Sequence, residues 1–128
     1  MKKLVLLTAI LLSMLTVSAV AQTKVRVKFA KGARSATLKG TVKGYKYIDY
    51  LVRGKGGQSW SVNLQSTHRG CGFVVFYANM ENVEGATGTT EFSGHFDADD
   101  EYIVRVLLPR SAARRKEAAS FSLKIEIK

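Results

Sequence analysis

The chain has 128 residues, and its 20 lysines and arginines exceed its 10 acidic residues, giving a formal charge of +10. Its only cysteine is Cys71, which excludes an internal disulfide, so the fold must be stabilised by its core. A charge of this size favours an acidic partner, such as a protein cleft, an anionic glycan, lipid headgroups or nucleic acid. The charge alone does not choose among them.

Residues 1–21 have the pattern of a secretory signal peptide. Two lysines precede a short apolar stretch, and Ala19-Val20-Ala21 supplies the small residues expected before a cleavage site. The apolar stretch is short for a membrane span, so we expect cleavage rather than a membrane anchor. The predicted mature domain, residues 22–128, carries a formal charge of +8 and is long enough for one domain with one core.

Short stretches of alternating or continuous apolar residues predict β-strands along the mature chain. These stretches are residues 24–30, 35–41, 44–53, 58–65, 73–78, 91–96, 102–108 and 121–127. The glycine-rich turn at 54–57 predicts a hairpin between the third and fourth strands. Residues 79–90, rich in Gly, Asn and Thr, are predicted to be the least structured part. The pattern indicates an all-β fold, a single antiparallel β-sandwich of seven to eight strands.

Two local patterns predict what lies in the core. Trp60, Val62 and Leu64 alternate with polar residues and are expected to face inwards. The uninterrupted apolar run at 73–78 is typical of a central strand. Cys71, just before this run, is expected to be a small buried residue, and a reactive thiol is the alternative interpretation.

The segment Pro109–Glu117 contains four cations and one anion between two predicted strands. Loops held on a rigid sheet are where binding residues concentrate, so this basic loop is our first candidate site. A helical turn within residues 111–120 would place Arg110 and Arg114 on one face. The alternative is a solvated connection whose charges only maintain solubility.

Catalytic and metal-binding patterns are not evident. His68 and His95 lie far apart without ligand-type spacing, and the acidic stretch at 97–101 is better explained as a turn than as a calcium loop. No nucleophile motif, carboxylate pair or phosphate-binding glycine loop stands out. Tyrosines and basic residues interleave at 45–53, but an exported protein seldom meets nucleic acid. We therefore predict a non-enzyme without cofactor, metal or nucleic-acid partner.

Several short sequences together carry a resemblance to a known family. They are Val25-Arg-Val-Lys-Phe29, Lys31-Gly32, Lys43-Gly-Tyr-Lys-Tyr47, Gly57-Gln58, Tyr102-x-x-Arg105-Val-Leu107, Arg110-x-x-Ala113-Arg114 and Ile125-x-Ile-Lys128. In their order and spacing, residues 24–128 resemble the periplasmic inhibitors of goose-type (g-type) lysozyme of Gram-negative bacteria.

The resemblance implies a periplasmic β-sandwich that inserts loops into the catalytic cleft of a goose-type lysozyme. It implies that Tyr45, Arg110 and Arg114 form the inserting surface. Tyr47 and Arg115 adjoin these residues and complete the predicted partner-binding set, although the resemblance defines no role for Arg115. The middle of the chain, residues 68–96, matches poorly and is expected to hold at least one further loop that faces the cleft.

The sequence is also compatible with two other functions. One is an exported β-sandwich module that binds an anionic glycan of the cell envelope without a lysozyme partner. The other is an appended domain that stabilises a larger exported assembly. Tyr45 could also pack beside Tyr47 in the sheet and have no partner. The sequence does not define the oligomeric state.

Overall fold

The computed structural model of the chain describes residues 23–128, so the predicted signal peptide at 1–21 lies outside the described residues and stays a prediction. The described part contains nine β-strands and one short α-helix. In chain order they are β1 (Thr23–Arg26), β2 (Ser35–Lys43), β3 (Ile48–Gly54), β4 (Ser59–Ser66), β5 (Gly72–Tyr77), β6 (Asn82–Thr89), β7 (Glu91–His95), β8 (Asp100–Leu107), α1 (Arg110–Arg114) and β9 (Ala118–Ile127). In this part of the chain, no helix has the length and hydropathy needed to cross a membrane.

The strands form two sheets. One has five strands in the order β1-β3-β8-β5-β6, and the other has four in the order β2-β9-β4-β7. Every pair is antiparallel except β1 with β3, which is parallel. The predicted all-β class is confirmed. The predicted strand count of seven to eight is wrong, because residues 23–128 form nine strands, and one pair is not antiparallel.

Side chains from both sheets form one apolar cluster. The Trp60 ring of β4 lies 5.0 Å from the Tyr102 ring of β8, and the Tyr50 and Phe121 rings meet edge to face between β3 and β9. The predicted inward alternation of β4 is confirmed, since its three apolar residues are buried. Each completely buried Val, Leu or Phe side chain contributes roughly 1.5–3 kcal/mol relative to exposure. Burial of this kind is what stabilises a chain without disulfides.

The turn at residues 54–57 connects the two sheets, so the predicted hairpin between β3 and β4 is wrong. The backbone of the turn pairs with Phe96 instead: Gly57 N–H donates to the Phe96 carbonyl at 2.7 Å. The Phe96 ring lies over Gly54, where a Cβ atom would come within 2.3 Å of it. A glycine turn signal is local, and it does not indicate which strand the following residues will pair with.

The stretch predicted to be least structured contains β6, so that prediction is wrong. β6 is an edge strand whose register with β5 shifts twice, and Gly85 and Gly88 have φ angles of 78° and 64°. Within β6 only Val83 and Ala86 are buried. An irregular edge strand tolerates glycine and needs few apolar residues, which explains why its sequence reads as a loop.

The pairing of β2 with β9 brings two loops together at one end of the molecule. Lys43, the last residue of β2, lies opposite Ala118, the first residue of β9. The β2–β3 loop, which contains Tyr45, therefore lies beside the loop that contains α1. The two loops are linked directly, because Gly44 N–H donates to the Glu117 carbonyl at 2.9 Å.

Candidate protein-binding site

The helix α1 is fixed to the core by two alanines. Ala112 and Ala113 are buried, whereas Arg110 and Arg114 are exposed. The helix begins after Pro109, whose carbonyl accepts the Ala113 N–H at 2.9 Å. Residues four apart share a helical face, so the predicted grouping of Arg110 with Arg114 on one face is confirmed by the position of α1. The last strand begins at Ala118 and not at residue 121 as predicted.

The C-terminal end of α1 is closed by a Schellman motif. Lys116 has a left-handed backbone with φ 57°, and its N–H donates to the Ala113 carbonyl at 3.0 Å. The Glu117 N–H donates to the Ala112 carbonyl at 3.1 Å. These two bonds satisfy carbonyls that the short helix would otherwise leave free. The two bonds thereby fix the direction in which the backbone leaves α1 and enters β9.

Tyr45 is presented next to this helix. It is 65% exposed, far more than expected for a ring packed in a sheet. A shallow cleft of about 530 Å³ separates the Tyr45 loop from α1, and its walls include Lys43, Tyr45, Lys46, Arg114 and Lys116. The structure therefore brings Tyr45 and Arg114 together around one cleft, and Arg110 stands on the same helix.

All charged residues that line the cleft are positive. No acidic side chain is among the residues that line it. Within residues 23–128, the structure shows no salt bridge to Arg110 or Arg114. Free guanidinium groups can bind a carboxylate through two parallel hydrogen bonds. This surface is therefore suited to an acidic partner.

Arg115 is bound within the protein, in contrast to its two neighbours. Its guanidinium is hydrogen-bonded to the Glu117 carboxylate, whose other contact is His68 Nε2 at 2.7 Å from Oε1. The pKa of Glu117 is lowered to about 2, first by the hydrogen bond from Arg115 and then by that from His68. Arg115 is therefore the least available cation of the predicted set, and its assignment to the binding site stays a prediction.

Tyr47 is half-buried and stacks on an arginine of β8. The Arg105 guanidinium carbon lies 3.9 Å from the Tyr47 ring centroid. Arg105 also binds buried Asp49 with two hydrogen bonds, Nε to Oδ1 at 2.8 Å and Nη2 to Oδ2 at 3.1 Å. This bidentate bond raises the pKa of Arg105. One face of Tyr47 is thus occupied within the chain, and a direct role in binding stays a prediction.

The β4–β5 loop, in the stretch where a further loop was expected, lies against α1. A Cβ atom on Gly70 would come within 2.8 Å of Pro109 Cγ, and His68 contacts Glu117. This role of His68 was not predicted from the sequence, where the residue was considered only as a metal ligand. The available signal was that Glu117 is the single anion in a basic loop. Nothing in the sequence indicated His68 as its partner, because 49 residues separate the two.

A larger cleft, of about 950 Å³, lies at the opposite end of the sheets and contains none of the predicted site residues. Its charges are mixed, and three of its carboxylates already have partners. Asp99 accepts the Gly56 N–H, Asp100 accepts the Glu101 N–H, and Glu101 pairs with Arg26 at 3.2 Å. The smaller cleft beside Tyr45 is chemically the more distinctive because it is uniformly basic.

Two other interpretations from the sequence concern metal binding and the reactivity of the Cys71 thiol. Among residues 23–128 no group of three or more His, Cys, Asp or Glu side chains could hold a metal ion. Cys71 is buried, as predicted, and burial raises the pKa of its thiol. A buried thiol with a raised pKa is unreactive, which argues against the alternative of a reactive cysteine.

Comparison with known proteins gives consistent results. A curated inhibitor of g-type lysozyme from Escherichia coli K12 is 32% identical over 132 residues, covering 99% of this chain and 96% of the relative. The crystal structure of a periplasmic g-type lysozyme inhibitor from Aeromonas hydrophila is 34% identical, with a TM-score of 0.74 over 83% of this chain and 96% of that chain. Its counterpart from Salmonella Typhimurium is 27% identical, with a TM-score of 0.63, and the alignment covers 84% of this chain and 100% of the other. No protein-family model matches.

The sequence identity and the shared fold of these relatives place the chain in the class of proteinaceous inhibitors. The chain belongs to the family of inhibitors of g-type lysozyme. The resemblance stated from the sequence is confirmed. The relatives are inhibitors and not enzymes, which confirms that prediction, and the periplasmic location of the solved relatives supports the predicted export.

Proposed function

We propose that the chain inhibits a goose-type lysozyme by inserting Tyr45, Arg110 and Arg114 into the catalytic cleft of the enzyme. The observation that carries this proposal is the position of exposed Tyr45 beside Arg114 on one uniformly basic cleft. The two sheets serve as a sandwich scaffold that holds both loops at one end. The relatives named above are inhibitors of g-type lysozyme, which supports the choice of partner.

The chemistry of the two surfaces is complementary. A muramidase cleft contains at least one carboxylate, which an arginine can bind through two hydrogen bonds. Tyrosine adds a large, rigid contact surface with little conformational entropy to lose. The positive charge around the loops also steers the inhibitor towards an acidic groove and increases the association rate. Each part of the proposed site therefore has a distinct physical role.

The proposal is tested by lysis of bacterial cell walls. Goose-type lysozyme is assayed with and without the purified mature chain, and chicken-type lysozyme is the control enzyme. We expect loss of lysis with the goose-type enzyme. Undiminished lysis at micromolar inhibitor would overturn the proposal. A pull-down on purified peptidoglycan tests the alternative of a glycan-binding module, since an inhibitor need not bind the polymer alone.

A further inference from the structure

We propose that His68 and Glu117 form a clamp that positions α1, and with it Arg110 and Arg114, for binding. This inference rests on the proposed function, because it assigns a positioning role to residues that support the inhibitory helix. Neither side chain lies among those that line the basic cleft. They would act through α1, so we describe them as positioning residues.

The first half of the clamp is fixed to the helix. Glu117 is held at the end of α1 by its own N–H, which donates to the Ala112 carbonyl, and by its carbonyl, which accepts from Gly44. Its carboxylate then reaches across to the β4–β5 loop, with Oε1 at 2.7 Å from His68 Nε2. Glu117 thus connects α1, the Tyr45 loop and the β4–β5 loop.

The second half is fixed in the β4–β5 loop. Gly70 N–H donates to His68 Nδ1 at 2.9 Å, so this nitrogen carries no proton. The proton of the neutral ring is therefore on Nε2, which donates to Glu117. The His68 backbone N–H donates to Ser66 Oγ at 3.0 Å. Both ring nitrogens have partners, and the orientation of the imidazole is defined.

The helix needs such support because it is only five residues long. Isolated helices shorter than about 12–15 residues are marginal in water, so α1 depends on its attachments. One attachment is the burial of its two alanines, and a second is the contact of Gly70 with Pro109 at its first turn. The clamp adds a third attachment at the last turn. Arg115 binds the same carboxylate, and the β4–β5 loop contributes one charged side chain, that of Arg69.

The test compares the dissociation constant for goose-type lysozyme among variants, at a temperature where all are folded. Glu117→Gln removes the charge, and His68→Phe keeps a flat ring but removes both hydrogen bonds. We expect each to weaken binding about tenfold, the size of one lost hydrogen bond to a charged group. The double variant is expected to be little worse than either single one, because both act on one contact. Glu126→Gln, which removes a carboxylate that is as partly exposed as that of Glu117 and is paired with Lys124, is the charge-matched control and should bind as the wild type does.

A second measurement does not need the enzyme. Amide hydrogen exchange at Ala113 and Lys116 in the free protein should be about tenfold faster in both clamp variants. Unchanged binding by Glu117→Gln and His68→Phe would overturn the proposal, whatever the exchange shows. Unchanged exchange together with weaker binding would also overturn it, because the residues would then contact the enzyme directly. If the wild-type chain fails to bind the enzyme, the proposed function itself is overturned.

Discussion

The guanidinium carbon of Arg105 lies 3.9 Å from the centroid of the Tyr47 ring, while two nitrogens of the same group bind the carboxylate of Asp49. Asp49 is only 3% exposed. The ion pair therefore ties the segment after Tyr45 to β8, the central strand of the five-stranded sheet. A cation over a tyrosine ring contributes about 0.5–1 kcal/mol at exposed sites and more where it is desolvated. The position of the Tyr45 loop thus depends on a residue of another strand.

Replacing Arg105 by Met is expected to destabilise the protein by about 3 kcal/mol. The reason is that Asp49 would be left buried and without its partner. Thermal or urea unfolding measures the loss. Arg26→Met is the control, because the Arg26–Glu101 pair is more exposed than the Arg105–Asp49 pair, and surface pairs contribute about 0–1 kcal/mol. Equal losses in the two variants would contradict the structural role given to Arg105. Asp49→Asn combined with Arg105→Met should recover part of the stability.

Truncating Arg110 or Arg114 to Ala is expected to weaken binding to goose-type lysozyme by about 2–4 kcal/mol each. Both guanidinium groups are exposed and lack an ion pair among residues 23–128, so their loss should leave folding unchanged. Isothermal titration calorimetry gives the affinity, and circular dichroism verifies the fold. Arg53→Ala, an exposed cation of the opposite cleft, is the charge-matched control. If Arg53→Ala lost as much affinity as Arg114→Ala, the loss would be a general effect of charge and not of a specific contact.

Tyr45→Ala is expected to raise the inhibitor concentration needed for half inhibition by at least tenfold, because an exposed aromatic anchor is lost. Tyr45→Phe should retain much of the activity if the ring surface provides the contact. Tyr77 is the matched control, since it is also exposed, at 39%, and lies in β5. Tyr77→Ala loses a ring packed against Tyr102 and is expected to lower stability without changing inhibition by the folded protein. Full activity of Tyr45→Ala would remove this residue from the site.

The acid sensitivity of the protein should depend on Glu117. The pKa of this carboxylate is lowered from 4.5 to about 2 in the folded protein, by Arg115 first and His68 second. Its contribution to stability is therefore fully present above pH 4.5 and is lost as the pH falls towards 2. Glu117→Gln is expected to show a shallower fall in melting temperature than the wild type across this range. Glu126→Gln should keep the wild-type slope, and a wild-type slope in Glu117→Gln would refute the linkage.

Lys116→Gly is expected to stabilise the protein by about 0.5–1 kcal/mol. Lys116 has a left-handed backbone, which a side chain with a Cβ atom adopts at a cost that glycine avoids. Urea unfolding measures the gain. Lys116→Ala removes the same charge but keeps the Cβ atom, so it should give no increase. A gain in both variants would attribute the effect to the lost charge and not to the backbone.

The sequence predicted the fold best where burial is regular. Alternation in β4 correctly identified inward-facing residues, and the continuous apolar run correctly indicated that β5 is an interior strand of its sheet, between β8 and β6. Prediction from the sequence failed where the pairing of strands depends on residues that are distant along the chain. The glycine turn after β3 leads into the other sheet because its backbone pairs with Phe96, and β6 was missed because a bulged edge strand needs little apolar sequence. Neither outcome is encoded within a few neighbouring residues.

For the candidate site too, local features could be predicted and long-range contacts could not. The basic loop and its helical turn could be found from composition and local propensity, and the family resemblance added Tyr45. The groups that hold these residues in place were not predicted. Arg105 with Asp49, and His68 with Glu117, are separated by 56 and 49 residues respectively. A single sequence contains no signal for such pairs, which only the register of the strands and the path of the loops bring together.

The nine consecutive pairs between β2 and β9 have a consequence for how this protein can change over generations. Deleting one residue within β9 would turn every core side chain beyond that point towards solvent. The exposed positions of the loop between Leu108 and Ala118, Arg110 and Arg114 among them, are under no such constraint of register, so their side chains can be exchanged without moving the core. Adaptation to an altered target enzyme can thus accumulate in the two loops while the sheets are inherited unchanged.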